Sequence, residues 1–178
     1  MHFSLDLFNG VCVNMRANKR TASQTVWETY PLISLKLTDN EDYLRILHVD
    51  DDSSLLEISK QILMDMGAFE IDNACSVDEA LKKLAVGNYD VVVSDYEMPQ
   101  KDGLSFLKLL REEKNDISFV LFTGKGREEV AINALNLGAD GYFNKLGSPE
   151  TVYGELAHGI KLIAERKKAK ESLKQRSL

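Results

Sequence analysis

The stretch VVVSDYEMP, residues 91–99, decides the fold predicted for this chain of 178 residues. Three consecutive valines form the clearest buried strand in the sequence, and Asp95 stands just beyond its end. Met98-Pro99 and Asp102-Gly103 then indicate a loop, which leads into a helix with leucines at helical spacing. A strand, a loop and a helix in this order predict one step of a parallel βαβ fold.

The same alternation of short apolar runs and helical periodicity continues on both sides of residues 91–99. Further strands are predicted at Leu44–Val49, Phe69–Ala74, Phe119–Phe122 and Tyr142–Phe143. Five strands that alternate with five helices predict an α/β fold with a doubly wound, five-stranded parallel sheet. We expect the flavodoxin-like strand order 2-1-3-4-5, with helices on both faces of the sheet.

Capping residues predict where several of the helices begin and end. Ser54 with Glu57 can form a capping box at the start of the first helix, and Gly67 suits its end. Ser76 with Glu79 predicts a capping box for the second helix. These signals fall between predicted strands, which supports the alternation of strands and helices.

Charged and polar side chains follow the predicted strands at the points where the strands end. They are Asp50-Asp51, Asp95, Thr123 and Lys145. In an open parallel sheet the ligand site lies at the carboxyl ends of the strands, so we expect these side chains to meet. Converging carboxylates repel one another, and a hard cation such as Mg²⁺ removes this repulsion because it prefers oxygen ligands.

This group of side chains is suited to phosphoryl transfer. An Asp carboxylate can attack phosphorus and form an acyl phosphate. The transfer then depends mainly on positioning and on neutralising charge, for which Mg²⁺ is well suited. Lys145 can pair with one phosphoryl oxygen, and Thr123 can donate a hydrogen bond to another.

Together these residues resemble the receiver domain of two-component response regulators. The matching pattern is Ile46-Leu47-His48-Val49-Asp50-Asp51, Asp95-Tyr96-Glu97-Met98-Pro99, Thr123-Gly124 and Lys145, in that order. The resemblance implies a phospho-accepting receiver, switched by Mg²⁺-dependent phosphoryl transfer from a histidine kinase to Asp95. It also implies an unidentified downstream protein partner, and no enzymatic activity beyond the chain's own phosphorylation and dephosphorylation.

The resemblance further implies a role for each residue of the site. Asp95 would be the phosphoacceptor, and Thr123 and Lys145 would engage the phosphoryl group. Tyr142 occupies the position of the family's switch aromatic, whose rotamer is coupled to the hydroxyl of Thr123. Mg²⁺ would be held by four groups: the carboxylates of Asp50, Asp51 and Asp95 and the backbone carbonyl of Glu97.

Two positions depart from, or vary within, the family pattern. Leu146 follows Lys145 where the family usually has proline, with which the bond is typically cis. Because a cis bond before a residue other than proline costs about 2.5–4 kcal/mol, we predict a trans Lys145–Leu146 bond. Gly147 follows and can absorb the altered chain direction. Glu97 borders the phosphoryl site at a variable position and is expected to affect the lifetime of the phosphate.

Two other functional classes stay open. The chain could be a Mg²⁺-dependent aspartyl-phosphate phosphohydrolase, in which Glu97 imitates the acid that such enzymes carry two residues after the nucleophile. It could instead be an unphosphorylated interaction module, but that interpretation requires a broken acidic cluster, and the cluster of this chain is intact. His158 lacks a kinase context, Gly124-Lys125-Gly126 lacks the order of a nucleotide-binding loop, and His48 is predicted to be packed inside its strand.

Charge is unevenly distributed along the chain, whose formal net charge is −6. Residues 43–158 hold eleven basic and twenty-one acidic side chains, whereas residues 159–178 hold seven basic and two acidic ones. An acidic body argues against nucleic acid as a partner, because such binding requires cations that neutralise phosphates. No apolar run is long enough to cross a membrane. Two scattered cysteines fit a cytoplasmic protein without a disulfide framework.

Three segments are predicted along the chain. Residues 1–42 form an extension of unknown role, residues 43–158 the receiver domain, and residues 159–178 a basic helical extension. An apolar stripe at helical spacing is expected to pack the last helix on the sheet; it consists of Val152, Leu156, Ile160 and Ile163. The helix is predicted to continue to about Glu171 and to serve as a connector or a weak homodimer contact.

Overall fold

The computed structural model describes residues 43–124 and 128–176, together with the backbone of residues 7–8 and 11–12. The chain divides into two compact units, Met1–Thr38 and Asp39–Leu178. In the first unit, Leu7–Phe8 and Val11–Cys12 pair as two short antiparallel strands. The role of residues 1–42 stays unassigned, since most of this segment lies outside the described residues.

Five parallel strands form the sheet of the second unit. They are β1 (Leu44–Val49), β2 (Phe69–Ala74), β3 (Val91–Ser94), β4 (Ser118–Thr123) and β5 (Gly141–Asn144). Their spatial order is β2-β1-β3-β4-β5, so the predicted order is confirmed. The central strand β3 and its neighbour β1 place Ser94 beside Val49 at their carboxyl ends.

Five helices cover both faces of the sheet. They are α1 (Ser53–Met66), α2 (Val77–Val86), α3 (Gly103–Glu112), α4 (Glu128–Asn136) and α5 (Pro149–Arg176). Alternate strand residues face opposite layers: Leu47 and Val92 join the core beneath α2, α3 and α4, whereas Ile46 and Val93 join the core beneath α1 and α5. Both faces of every central strand are buried, which explains the continuous apolar runs of the sequence.

One predicted helix start is wrong and the next is confirmed. Helix α1 is capped by Asp52, whose carboxylate accepts hydrogen bonds from the backbone N–H groups of Ser54 and Leu55, so Ser54 does not start a capping box. Asp52 takes this position because the helix already begins at Ser53, so Ser54 lies inside it, and the carboxylate of Asp52 reaches two N–H groups of the first turn. At α2, the Ser76 hydroxyl accepts from the backbone N–H of Glu79, as predicted.

Helix α5 is the longest element of the described chain, with 28 residues. Its predicted apolar stripe is buried against the sheet, and the packed part of the helix ends at Ala164. Beyond that point the helix continues past the predicted end near Glu171 and reaches Arg176. Residues 165–176 are almost all exposed, and Lys167 donates to the backbone carbonyl of Asp116. Their use as a connector or a dimer contact stays a prediction.

Candidate functional site

The carboxyl ends of β1, β3 and β5 bring three of the predicted site residues into direct contact. The ammonium Nζ of Lys145 lies 2.5 Å from Oδ2 of Asp50 and 2.6 Å from Oδ1 of Asp95. Both carboxylates are almost completely buried, with 3% of Asp50 and 7% of Asp95 exposed. The lysine therefore bridges two acids that are 45 residues apart in sequence and that would otherwise repel each other.

Backbone hydrogen bonds fix the two carboxylates at the strand ends. The N–H of Asp95 donates to the carbonyl of Val49, which joins β3 to β1 at the last position of the ladder. The carboxylate of Asp50 accepts from the N–H of Asp52 in the turn that leads into α1. The hydroxyl of Ser94 donates to the carbonyl of Asp95. These contacts hold the backbone of Asp95 at the end of β3 and the carboxylate of Asp50 against the turn.

Burial opposes the charges of Asp95 and Lys145, and the ion pairs of Lys145 with Asp95 and Asp50 counteract this cost. Burial raises the pKa of the Asp95 carboxyl above its ordinary value, Lys145 acts in the opposite direction, and the neighbouring charge of Asp50 adds to the rise. Burial alone would lower the pKa of Lys145, but the hydrogen bonds and charges of Asp50 and Asp95 outweigh it and raise this pKa. The lysine is therefore a fixed cation, and Asp95 is an acid whose charge needs a neighbouring cation.

The two predicted switch residues, Thr123 and Tyr142, lie on the adjacent strand pair. Thr123 is buried at the end of β4, next to Asn144 of β5. Tyr142 lies on β5 beside Leu121, and its hydroxyl is shielded from solvent with no hydrogen-bond partner among the described residues. Burial accordingly raises the pKa of Tyr142. The coupling of Tyr142 to the Thr123 hydroxyl stays a prediction.

The remaining predicted metal ligands border an open cleft of about 430 Å³ beside the buried acids. Asp51 and Glu97 line this cleft together with Tyr96, Met98, Pro99 and Asp102. Two buried carboxylates next to further carboxylates in a cleft have the donor chemistry that a hard divalent cation prefers. Among the described residues, however, no three Asp, Glu, His or Cys side chains converge into an assembled metal site. The donor set fits Mg²⁺, and the complete ligand set stays a prediction.

After Lys145 the chain leaves the site at Leu146, the residue that stands where the family usually has proline. No described peptide bond is cis, so the Lys145–Leu146 bond is trans, as predicted. The side chain of Asn144 accepts from the N–H of Leu146, and Gly147 adopts a φ of 141°, in the region that favours glycine. The backbone N–H of Lys145 donates to the carbonyl of Thr123, which keeps the lysine beside β4.

Two residues near the site were not identified from the sequence. Gly103 packs so closely on the Asp95 carbonyl that an added Cβ would lie 2.3 Å from this oxygen. The ring of Phe122 lies beneath the lysine, with 5.4 Å between Nζ of Lys145 and the ring centroid. Asp102-Gly103 carried only a loop signal, and Phe122 appeared only as a strand residue. Both contacts form across elements, so no local sequence pattern indicates them.

The other histidine and loop interpretations have different outcomes. His48 is completely buried within β1, as predicted, whereas His158 is exposed on α5. Gly124 is described, but Lys125 and Gly126 lie outside the described residues, so the loop interpretation stays a prediction.

His48 should make the stability of the metal-free protein depend on pH. Neither ring nitrogen has a hydrogen-bond partner among the described residues, and burial lowers the pKa of His48 from 6.5 to about 4, with Asp50 opposing and Lys145 assisting. Below about pH 6.5 the unfolded chain therefore takes up a proton that the folded chain refuses. Between about pH 7 and pH 5, this difference removes about 2 kcal/mol from the free energy of unfolding.

Urea unfolding of the protein and of His48→Leu, both in a chelator, measures this effect. The variant lacks only this titrating group, so its stability should fall about 2 kcal/mol less over the same pH interval. Parallel losses in the two proteins would contradict the prediction.

Comparison with known proteins assigns the family. The model of the response regulator receiver domain matches residues 46–157, which is more than half of the chain. The chain belongs to the response regulator receiver family. Receivers of this family accept phosphate from histidine kinases in two-component signalling, and the family is not an enzyme class in the ordinary sense. The predicted fold, family and general function are confirmed.

Two bacterial transcriptional regulatory proteins are similar to this receiver. DltR of Streptococcus agalactiae (strain NEM316) is 35% identical over 102 residues, which are 57% of this chain and 45% of DltR. PhoP of Bacillus subtilis, a regulator of alkaline phosphatase synthesis, is 33% identical over 108 residues, which are 61% of this chain and 45% of PhoP. The chain spans less than half the length of these relatives. Because both regulate transcription, they do not support the predicted exclusion of nucleic acid.

Solved receiver domains share the fold. The receiver of the Francisella response regulator 1452 is 28% identical with a TM-score of 0.63, over 70% of this chain and 98% of that one. TrrA of Thermotoga maritima, solved in complex with Mg²⁺ and BeF, is 35% identical with a TM-score of 0.58, over 67% of this chain and 98% of TrrA. Among the described residues, no helix of our receiver is both long and apolar enough to cross a membrane.

Proposed function

We propose that Asp95 is the phosphoacceptor of this receiver and that a histidine kinase is its donor. A carboxylate oxygen of Asp95 attacks the phosphorus, and the new P–O bond replaces the bond to the donor's leaving group. The observation that supports this assignment is the bridge from Lys145 to Asp50 and Asp95 at the strand ends. The ammonium keeps Asp95 ionised in a buried setting and can then pair with a phosphoryl oxygen.

Each neighbouring residue has a role in the transfer. Lys145 neutralises charge on the phosphoryl group, and Thr123 donates a hydrogen bond from its hydroxyl. Movement of Thr123 toward the phosphoryl group then favours a different rotamer of Tyr142. Among the described residues the shielded hydroxyl of Tyr142 has no hydrogen-bond partner, which suits such a switch because an unpaired buried polar group makes a rotamer less stable.

Mg²⁺ is the proposed cofactor. Asp50, Asp51, Asp95 and the backbone carbonyl of Glu97 would hold it, and it would neutralise the acids and the incoming phosphoryl oxygens. The two other acids, Asp50 and Asp51, would thus serve to hold the cation beside the phosphoacceptor. The chain's own phosphorylation and dephosphorylation are the only reactions that we assign to it.

The role of Asp51 can be tested separately from the fold. Asp51 is exposed at the cleft, so its replacement by Ala should leave the free energy of unfolding nearly unchanged. We expect the Mg²⁺ affinity of Asp51→Ala to fall by about tenfold or more, because one charged oxygen ligand is lost. Calorimetric titration with MgCl₂ measures this affinity. Equal affinities in the variant and the original protein would remove Asp51 from the ligand set.

Phosphorylation by small donors tests the proposed function itself. The protein is incubated with acetyl phosphate or phosphoramidate, with Mg²⁺ or with a chelator, and the intact mass is followed. We expect the addition of one phosphoryl group, dependent on Mg²⁺. Absence of both labelling and binding of beryllofluoride would instead favour the interaction module, and sustained turnover of small phosphate esters would favour the phosphohydrolase.

Membership of the family does not identify the partners or the location of this receiver. The identity of the kinase and of the downstream protein, a weak homodimer and a cytoplasmic location stay predictions. Labelling by a panel of purified histidine kinases, compared by initial rate, would identify the cognate donor.

A further inference from the structure

We propose that Phe122 is a positioning residue that holds the Lys145 ammonium in place through a cation–π contact. This inference rests on the proposed function, in which the ammonium first pairs with Asp95 and then with the phosphoryl group. The negative face of an aromatic ring attracts a cation within about 6 Å of its centroid. The ring of Phe122 meets this condition, at 5.4 Å from Nζ of Lys145.

Burial makes this contact effective. Phe122 is 1% exposed, and 16% of the Lys145 side chain is exposed. Cation–π attraction is strongest where water is excluded, because water competes for the cation. The ammonium thus has three negative neighbours: two carboxylates at ion-pair distance and the ring face of Phe122.

Neighbouring side chains fix the orientation of the ring. Tyr153 of α5 packs against Phe122 in an edge arrangement, with 5.8 Å between centroids and 64° between planes. The hydroxyl of Tyr153 forms a buried hydrogen bond of 2.7 Å with Ser59 of α1. His48 of β1 lies on another side, with centroids 6.4 Å apart. Side chains of α5 and β1 therefore hold the ring of Phe122 in place.

Lys145 receives little support from its own strand or from the residue that follows it, so contact with Phe122 matters for its position. Strand β5 ends at Asn144, one residue before the lysine, and the next residue, Leu146, is 70% exposed and contributes little packing. Lysine has a flexible four-carbon stem with many rotamers, so its ammonium is poorly placed without neighbours. An aliphatic residue at position 122 would fill the same volume but would offer no negative face.

Fluorinated phenylalanines at position 122 test the proposal. Fluorine withdraws electron density from the ring face and changes its size little, so mono-, di- and trifluorophenylalanine weaken a cation–π contact stepwise. We expect the rate of phosphorylation by acetyl phosphate at saturating Mg²⁺ to fall stepwise, by about tenfold over the series. The matched control is the same series at Phe119, which is equally buried but packs against Phe106.

A role in packing alone predicts a different pattern. A flat rate across the Phe122 series, or an equal fall in the Phe119 series, would overturn the proposal while the labelling of unmodified protein leaves the proposed function intact. A second readout does not depend on phosphorylation: the ring current of Phe122 should shift the ε-proton resonances of Lys145 upfield in NMR spectra. Phe122→Leu should remove this shift, and an unchanged resonance would also refute the contact. If unmodified protein takes up no phosphoryl group, the proposed function fails, and this shift still decides the position of the ammonium.

Discussion

Replacement of Asp95 by Asn should reduce labelling by acetyl phosphate or phosphoramidate to the level of a sample without donor. The amide has nearly the shape of the carboxylate but lacks its nucleophilic charge, so the acyl phosphate cannot form. The protein should remain folded, because Lys145 keeps its ion pair with Asp50 and the repulsion between Asp50 and residue 95 disappears. Intact mass spectrometry and circular dichroism on the same samples separate these two effects.

A matched control lies on the edge strand of the same sheet. Asp72 of β2 is also paired with a lysine, Lys83, and accepts from the hydroxyl of Tyr89, but it lies inside its strand, which β1 separates from β3. Asp72→Asn should label like the original protein. Retained labelling in Asp95→Asn would move the phosphoacceptor to another residue, and loss of labelling in Asp72→Asn as well would point to a general defect of the fold.

Replacement of Gly103 by Ala should lower the free energy of unfolding by about 1–3 kcal/mol. The added Cβ would lie 2.3 Å from the backbone oxygen of Asp95 and 2.7 Å from a methyl group of Leu121. Because the first neighbour is backbone, the start of α3 and the end of β3 must move apart. This cost exceeds the gain of about 0.5–1 kcal/mol that Ala ordinarily brings over Gly within a helix.

The same substitution elsewhere in the chain gives the opposite expectation. Gly154 lies inside α5, and no atom lies within 4 Å of a Cβ added there. Gly154→Ala should therefore raise the free energy of unfolding by about 0.5–1 kcal/mol. Urea unfolding measures the free energy of unfolding of both variants. An unchanged value for Gly103→Ala would show that β3 and α3 are not tightly packed against each other. We further expect Gly103→Ala to slow phosphorylation, because the displaced backbone carries Asp95.

The strands and the acidic site were predictable because their signals are local. Valine and isoleucine runs mark strands that are buried on both faces, and parallel strands necessarily bring their carboxyl ends to one edge. This geometry places Asp50, Asp95 and Lys145 together without any knowledge of side-chain packing. The contact distances of 2.5 and 2.6 Å confirm that part of the prediction.

The features that the sequence did not reveal depend on packing between elements. Asp52, Ser53 and Ser54 are all residue types that cap helices, and the start of the folded helix at Ser53 is what makes Asp52 the cap. Phe122 contacts the lysine because β4 and β5 pair in a register that sets Phe122 opposite Phe143. Gly103 meets Asp95 because α3 begins against the end of β3. No pattern within one segment encodes these neighbours.

Helix α5 is one continuous element, so a movement of its packed half is carried to its exposed end. Its first half packs in the same core layer as Phe122 and contributes Tyr153 to it. Its last 12 residues, 165–176, extend beyond the packed part for about 18 Å. A tilt of only a few degrees in the core therefore becomes a displacement of about 1 Å or more at the far end. The direction of that displacement is tied to helical phase, since adding or removing one residue turns the end by about 100°. The length of α5, as well as its side chains, then determines which displacement reaches a partner bound at that end.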